Sequence, residues 1–151
     1  MGPIDPTRLF TVDEVNALIP ALVEVFDRIR PDLELARHLS QELTSLGHPP
    51  PDGAELLVDD AAPVEIRDRQ DLLRESAWRV SQGLREVVEL GAEVKAADGL
   101  VDFRSRRGGK VVLLCWRYGE HQVGHWHDLS AGYAGRAPIE DKGAFRGELA
   151  N

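Results

Sequence analysis

Residues 113–128 read LLCWRYGEHQVGHWHD, and the way this stretch folds decides the sheet. It holds the lone cysteine, Cys115, together with Glu120, His121, His125, His127 and two of the three tryptophans, Trp116 and Trp126. KVVLLCW and HQVGHWHD read as two strands. Between them Gly119 then Glu120 suit a two-residue type II′ turn, with glycine at the first central position. That turn would set Trp116 opposite Val123, Leu114 opposite His125 and Val112 opposite His127. One face then carries Val112, Leu114, Trp116, Val123, His125 and His127; the other carries Val111, Leu113, Cys115, Gly124 and Trp126. The Cys115/Trp126 face lacks imidazoles and is expected to meet the helices. The His face needs another cover: the C-terminal segment, a second subunit or a ligand.

Upstream, LVDF adds a third strand after the turn residues of ADG. Before it the apolar period changes to that of helices. Thr11 and Glu14 form a capping box, with Phe10 and Val15 placed as a hydrophobic staple. Val15, Leu18, Leu22, Val25 and Ile29 then recur at three- and four-residue steps, and Leu35, Leu39, Leu43 and Leu46 carry the stripe to Gly47. Pro20 and Pro31 are expected to bend or interrupt this helix, because each removes a backbone donor. Ile66, Leu73, Ala77, Val80, Leu84, Val87, Gly91 and Val94 draw a second stripe, with Trp78 at its flank. The expected fold class is α+β: a long antiparallel helical hairpin packed on a small three-stranded antiparallel sheet. As one domain, 1–151, it comprises helix one at 11–46, a proline-rich loop at 47–62, helix two at 63–96, the sheet at 99–128 and an irregular segment at 129–151. The loop reads as a surface connection, or alternatively as a lid.

Bulk properties narrow the function. The formal net charge is -8, a field that repels phosphate backbones and anionic membranes, so neither nucleic acid nor membrane is an expected partner. A single cysteine excludes an intrachain disulfide and suits a reducing compartment. With no signal-peptide run and no membrane-length apolar stretch, the expectation is a cytoplasmic protein. Two apolar sheet faces and one helical layer suggest a homodimer. No phosphate-cradling loop, dinucleotide fingerprint or nucleophile elbow is present, so no nucleotide cofactor is expected.

His125-x-His127 is the sharpest chemical signal. Residues two apart on a strand point the same way, so the two imidazoles can share one Zn²⁺, or Fe²⁺ if two histidines and a carboxylate coordinate. Glu120 and Asp102 are the available carboxylates, giving a candidate metal set of His125, His127, Glu120 and Asp102. The bland alternative is that the histidines satisfy backbone carbonyls at a sheet edge. Arg136 is placed either to clamp a small anionic ligand, with Trp116 and Trp126 beside it, or to close a salt bridge with Glu120 or Asp102. In the expected register Cys115 faces away from His125 and His127, so it reads as a structural thiol rather than a nucleophile.

RLFTVDEVNALIP, GLVDF, LCWRYGE, WHD and GYAGRAPI occur in order along the chain. Together they resemble the bacterial family catalogued as domain of unknown function 2203, over residues 8 to about 140. The family pattern includes a tryptophan–histidine pair, matched by Trp126 and His127; His121 and His125 lie outside it. The resemblance implies no activity. Two function classes follow from the residues: a divalent-metal- or small-ligand-binding protein, an enzyme or not, with its site on the sheet; and a non-catalytic interaction module using the helical hairpin or the second sheet face.

Overall fold

The computed structural model describes residues 8–51 and 61–148. Most of the 47–62 loop, with its lid reading, and the last residues of the C-terminal segment therefore lie outside the described residues. The chain forms two compact units, Met1–Phe26 with Leu84–Asn151, and Asp27–Gly83. Its elements are α1 (Val12–Ser45), α2 (Val64–Glu89), β1 (Glu93–Ala96), β2 (Leu100–Arg107), β3 (Lys110–Arg117), β4 (His125–Asp128), β5 (Ala137–Pro138) and β6 (Phe145–Arg146).

Within Asp27–Gly83 the two helices run antiparallel. The later part of α2 meets the middle of α1, with Arg79 Nε on Asp32 Oδ1 at 2.9 Å, and the start of α2 meets the end of α1, with Arg69 Nε on Glu42 Oε2 at 2.7 Å. Leu39, Leu43, Ala62, Ile66 and Leu73 fill the space between them. The expected core residues Leu22, Val25, Leu73 and Val87 are buried, whereas Leu84 is only partly so. Helix α1 runs unbroken through Pro20 and Pro31, contrary to expectation. Both rings sit on its exposed side, where water can serve the carbonyl that each proline leaves unbonded. Its end is as the composition indicates: Gly47 takes φ +84° and His48 N donates to Leu43 O at 2.8 Å.

The unit built from the two chain ends places the first part of α1 on the sheet. The capping box forms, with Thr11 N on Glu14 Oε1 at 2.9 Å and Glu14 N on Thr11 Oγ1 at 3.1 Å. Helix α2 stops at Glu89, not at 96, because Gly91 adopts φ +104° and 93–96 leave the helix as an edge strand. The sheet has six strands, not three, in the order β1-β2-β3-β4-β5, with β6 also on β2. The segment after 129 is thus not wholly irregular: it supplies β5 and β6.

The β3–β4 register differs from the expected one by a single residue. Glu120 N donates to Arg117 O at 2.9 Å and Gly119 has φ +105°, so the turn centres on Tyr118–Gly119 as a type II turn. Residues 118–124 then leave the ladder, pinned by Val123 N on Asn16 Oδ1 at 2.8 Å and Ile139 N on Gly124 O at 2.8 Å. Cys115 pairs with His125, Leu114 with Trp126 and Leu113 with His127. Because side chains alternate, one step of slip exchanges the two faces. Val101, Phe103, Leu114 and Trp116 face α1 and the residues just before it, where Phe26 packs tilted on Trp116 at 6.2 Å and Phe10 meets Phe103 edge to face at 5.1 Å. Asp102, Cys115, His125 and His127 share the opposite face.

Candidate metal centre

Three adjacent strands each contribute one side chain to a cluster on this face. The Gly108–Gly109 turn, with φ +58° and +80°, joins β2 to β3 so that Asp102 lies opposite Cys115. His127 on β4 reaches across β3, and its Nε2 meets Asp102 Oδ2 at 3.2 Å. Its Nδ1 lies 2.8 Å from the backbone carbonyl of Asp128. A carbonyl only accepts, so Nδ1 carries the proton and Nε2 is the nitrogen turned to the cluster.

Asp102, Cys115 and His127 are all buried, and one potential ligand atom from each lies within 4.8 Å of the others. Asp102 is 2% exposed; no nitrogen or oxygen donor serves its second carboxylate oxygen, Oδ1, and the Cys115 thiol is the other group that bears on the carboxyl. Burial raises the Asp102 carboxyl above the ordinary carboxylate range, although His127 pulls the other way. Burial, and then the Asp102 charge, push the Cys115 thiol up to about 11. The Arg136 guanidinium, 3.9 Å from the sulfur, opposes both.

The three residues line a cavity of about 260 Å³, closed on another side by residues 129–133. The C-terminal segment thus provides cover on the His face, one of the expected covers, and α1 meets the face without histidines; what differs is membership, since Cys115 lies on the His face and Leu114 and Trp116 meet the helix.

The expected metal set separates into two groups. His127 and Asp102 come together, joined by Cys115, which the misplaced register had turned away. Glu120 instead forms a two-point salt bridge with Arg136, at 3.2 and 2.9 Å. His125 stands beside that pair, its buried Nδ1 3.7 Å from Glu120 Oε2 and without a hydrogen bond. The two-histidine, one-carboxylate set that pointed to Fe²⁺ is not assembled. Burial works to raise the Glu120 carboxyl, but the Arg136 hydrogen bonds and the Arg117 backbone amide outweigh it and hold the group below its usual range.

Arg136 therefore takes the salt-bridge role rather than the free clamp, with its guanidinium 4.4 Å over the Tyr133 ring. Neither tryptophan is on the cavity face. Trp116 is fully buried against α1, its indole N–H on Glu120 O at 2.9 Å. Trp126 packs on Phe145, with Arg107 stacked 4.5 Å over its ring.

The geometry discriminates between two chemistries. A thiol nucleophile needs a base to take its proton. Here one imidazole nitrogen of His127 serves a backbone carbonyl and the other serves Asp102, and the thiol stays protonated at neutral pH. A metal ion suits the cluster better. Bonds of about 2.0–2.3 Å in a tetrahedral arrangement set ligand atoms roughly 3.5 Å apart, a spacing that small movements of these groups reach. Cys115 was legible as a ligand only through the correct register.

A family model described as "Uncharacterized conserved protein (DUF2203)" matches residues 8–139. No curated protein and no solved structure matches the chain.

Proposed function

The chain belongs to this DUF2203 family of uncharacterised conserved proteins, and we propose that it binds a divalent metal, Zn²⁺ before others, through Asp102, Cys115 and His127. The observation that carries this reading is Asp102 Oδ1, served by no nitrogen or oxygen donor and fully buried within a cluster of oxygen, sulfur and nitrogen donors that lines a cavity. A buried polar atom without a partner costs about 1–3 kcal/mol, and a cation at the cluster would offset that cost. The His127 Nδ1–H bond to a carbonyl is the arrangement that orients an imidazole for coordination through Nε2. The thiolate favours zinc over harder cations. Three protein ligands beside a cavity leave a fourth position for water or a small molecule, as in zinc sites that act on ligands rather than only hold a fold.

The test is calorimetric titration of the chelator-treated chain with Zn²⁺, and with Co²⁺ to read the sulfur-to-cobalt absorption. One ion per chain is expected. Uptake at neutral pH should release the Cys115 proton, visible as a dependence of the heat on the buffer. Cys115→Ser should abolish the cobalt–thiolate absorption, and His127→Ala should weaken zinc at least about tenfold. Unchanged binding in both variants rejects the site.

A further inference from the structure

Lys95 is the one lysine or arginine among the described residues that line the cavity beside Asp102, Cys115 and His127. It stands on the edge strand β1, on the same sheet face as the cluster. Its charge acts on the Asp102 carboxylate, which a bound metal ion would take up, and on Glu93. Glu93 serves two cations, Arg104 Nε at 3.1 Å and Lys95 Nζ at 3.6 Å, so one carboxylate faces two positive groups. At the centre a divalent ion would be balanced by the Asp102 carboxylate and the Cys115 thiolate, with His127 neutral. The surplus positive charge therefore lies on the wall, at Lys95, and not at the centre. The rest of the wall includes Leu100, Leu113 and Leu129, which reward apolar contact. The volume of about 260 Å³ is room for on the order of nine waters. That is below the range of drug-sized pockets.

We propose that this cavity takes a small organic monocarboxylate, its carboxylate on Lys95 and its apolar body against the leucines, beside the metal cluster. This rests on the metal reading of the same site. A bare inorganic anion would leave the leucines uncovered, and a neutral analogue would leave Lys95 without its partner, so charge and apolar surface together select the class.

The experiment uses the full zinc-loaded chain, titrated calorimetrically with butyrate and benzoate, with butyramide and inorganic phosphate as comparison probes. Both carboxylates should bind, with butyramide and phosphate weaker by about tenfold or more. Lys95→Met should lose about tenfold in carboxylate affinity while keeping the cobalt–thiolate absorption, and Lys95→Arg should recover most of the loss. Lys95 is exposed on an edge strand, so both variants should fold. Zinc uptake with no carboxylate binding, with phosphate preferred, or with equal affinity in Lys95→Met overturns this inference and leaves the metal site standing. Absence of zinc and cobalt uptake overturns both.

Discussion

Glu120 shows how one carboxylate organises the neighbourhood of the cluster. It accepts the Arg117 backbone amide at 2.8 Å, which holds the turn, and grips Arg136, which reaches back toward Cys115. Its folded-state pKa lies below the ordinary value near 4.5, so the unfolded chain binds the proton more readily. The stability it contributes is present above about 4.5 and is lost as pH falls through the lower folded value. Glu120→Gln should therefore cost about 1.5–3 kcal/mol at pH 7, the range for hydrogen bonds to a charged group. The gap from wild type in urea melts should narrow below pH 4. A gap that stays constant down to pH 3 would show that Glu120 contributes by shape, not by charge.

At the scale of elements, the junction of α2 and β1 sets where the helix ends and the sheet begins. Gly91 makes it with φ +104°, and a Cβ there would sit 2.4 Å from Phe10 Cζ. Phe10 cannot move freely, because it is fully buried and packed edge to face with Phe103. Gly91→Ala adds left-handed strain to overpacking and should destabilise by about 2–4 kcal/mol in denaturant unfolding. A loss under about 1 kcal/mol would mean that the ring yields and the junction is looser than its geometry implies. Gly108, at the β2–β3 turn, has nothing within 4 Å of its Cβ position, so alanine there meets only the backbone penalty.

For the whole molecule, a ligand that binds only the folded form stabilises it by mass action. Zinc at about 100 times its dissociation constant should add about 2.7 kcal/mol to the unit that holds the site. For a chain of this length that raises the melting midpoint by about 5–10 °C. A chain of two compact units can melt in two steps, and zinc should move only the transition of the unit that carries Asp102, Cys115 and His127. Scanning calorimetry of wild type and His127→Ala, each with and without zinc, reads this directly. A shift of equal size in the variant would place the ion elsewhere.

Local structure was legible in the sequence: the capping box at Thr11 and Glu14, the two amphipathic helices, Gly47 as a stop, and strands over 100–117. Each is written in neighbours a few residues apart, where period and capping chemistry act. The first strand, 93–96, was not legible, because it reads as the end of helix two. The sequence also drew attention to His127 and Asp102, which the fold places side by side, because chemistry-bearing side chains are few in this sheet. The partnership with Cys115 was not legible. The type II and type II′ readings of RYGEH differ by one residue, and both satisfy the same glycine. What separated them was the pinning of residues 118–124 by Asn16 and Ile139, distant in the chain. Side-chain direction alternates with every residue, so that single step decided which face holds the cysteine. Lys95 was hidden for a related reason: the apolar spacing through Gly91 to Val94 continues a helical stripe, while the positive φ of Gly91 ends it. Only the packed sheet placed that lysine beside the cluster, because the wall of a cavity is formed by strands whose pairing no local pattern encodes.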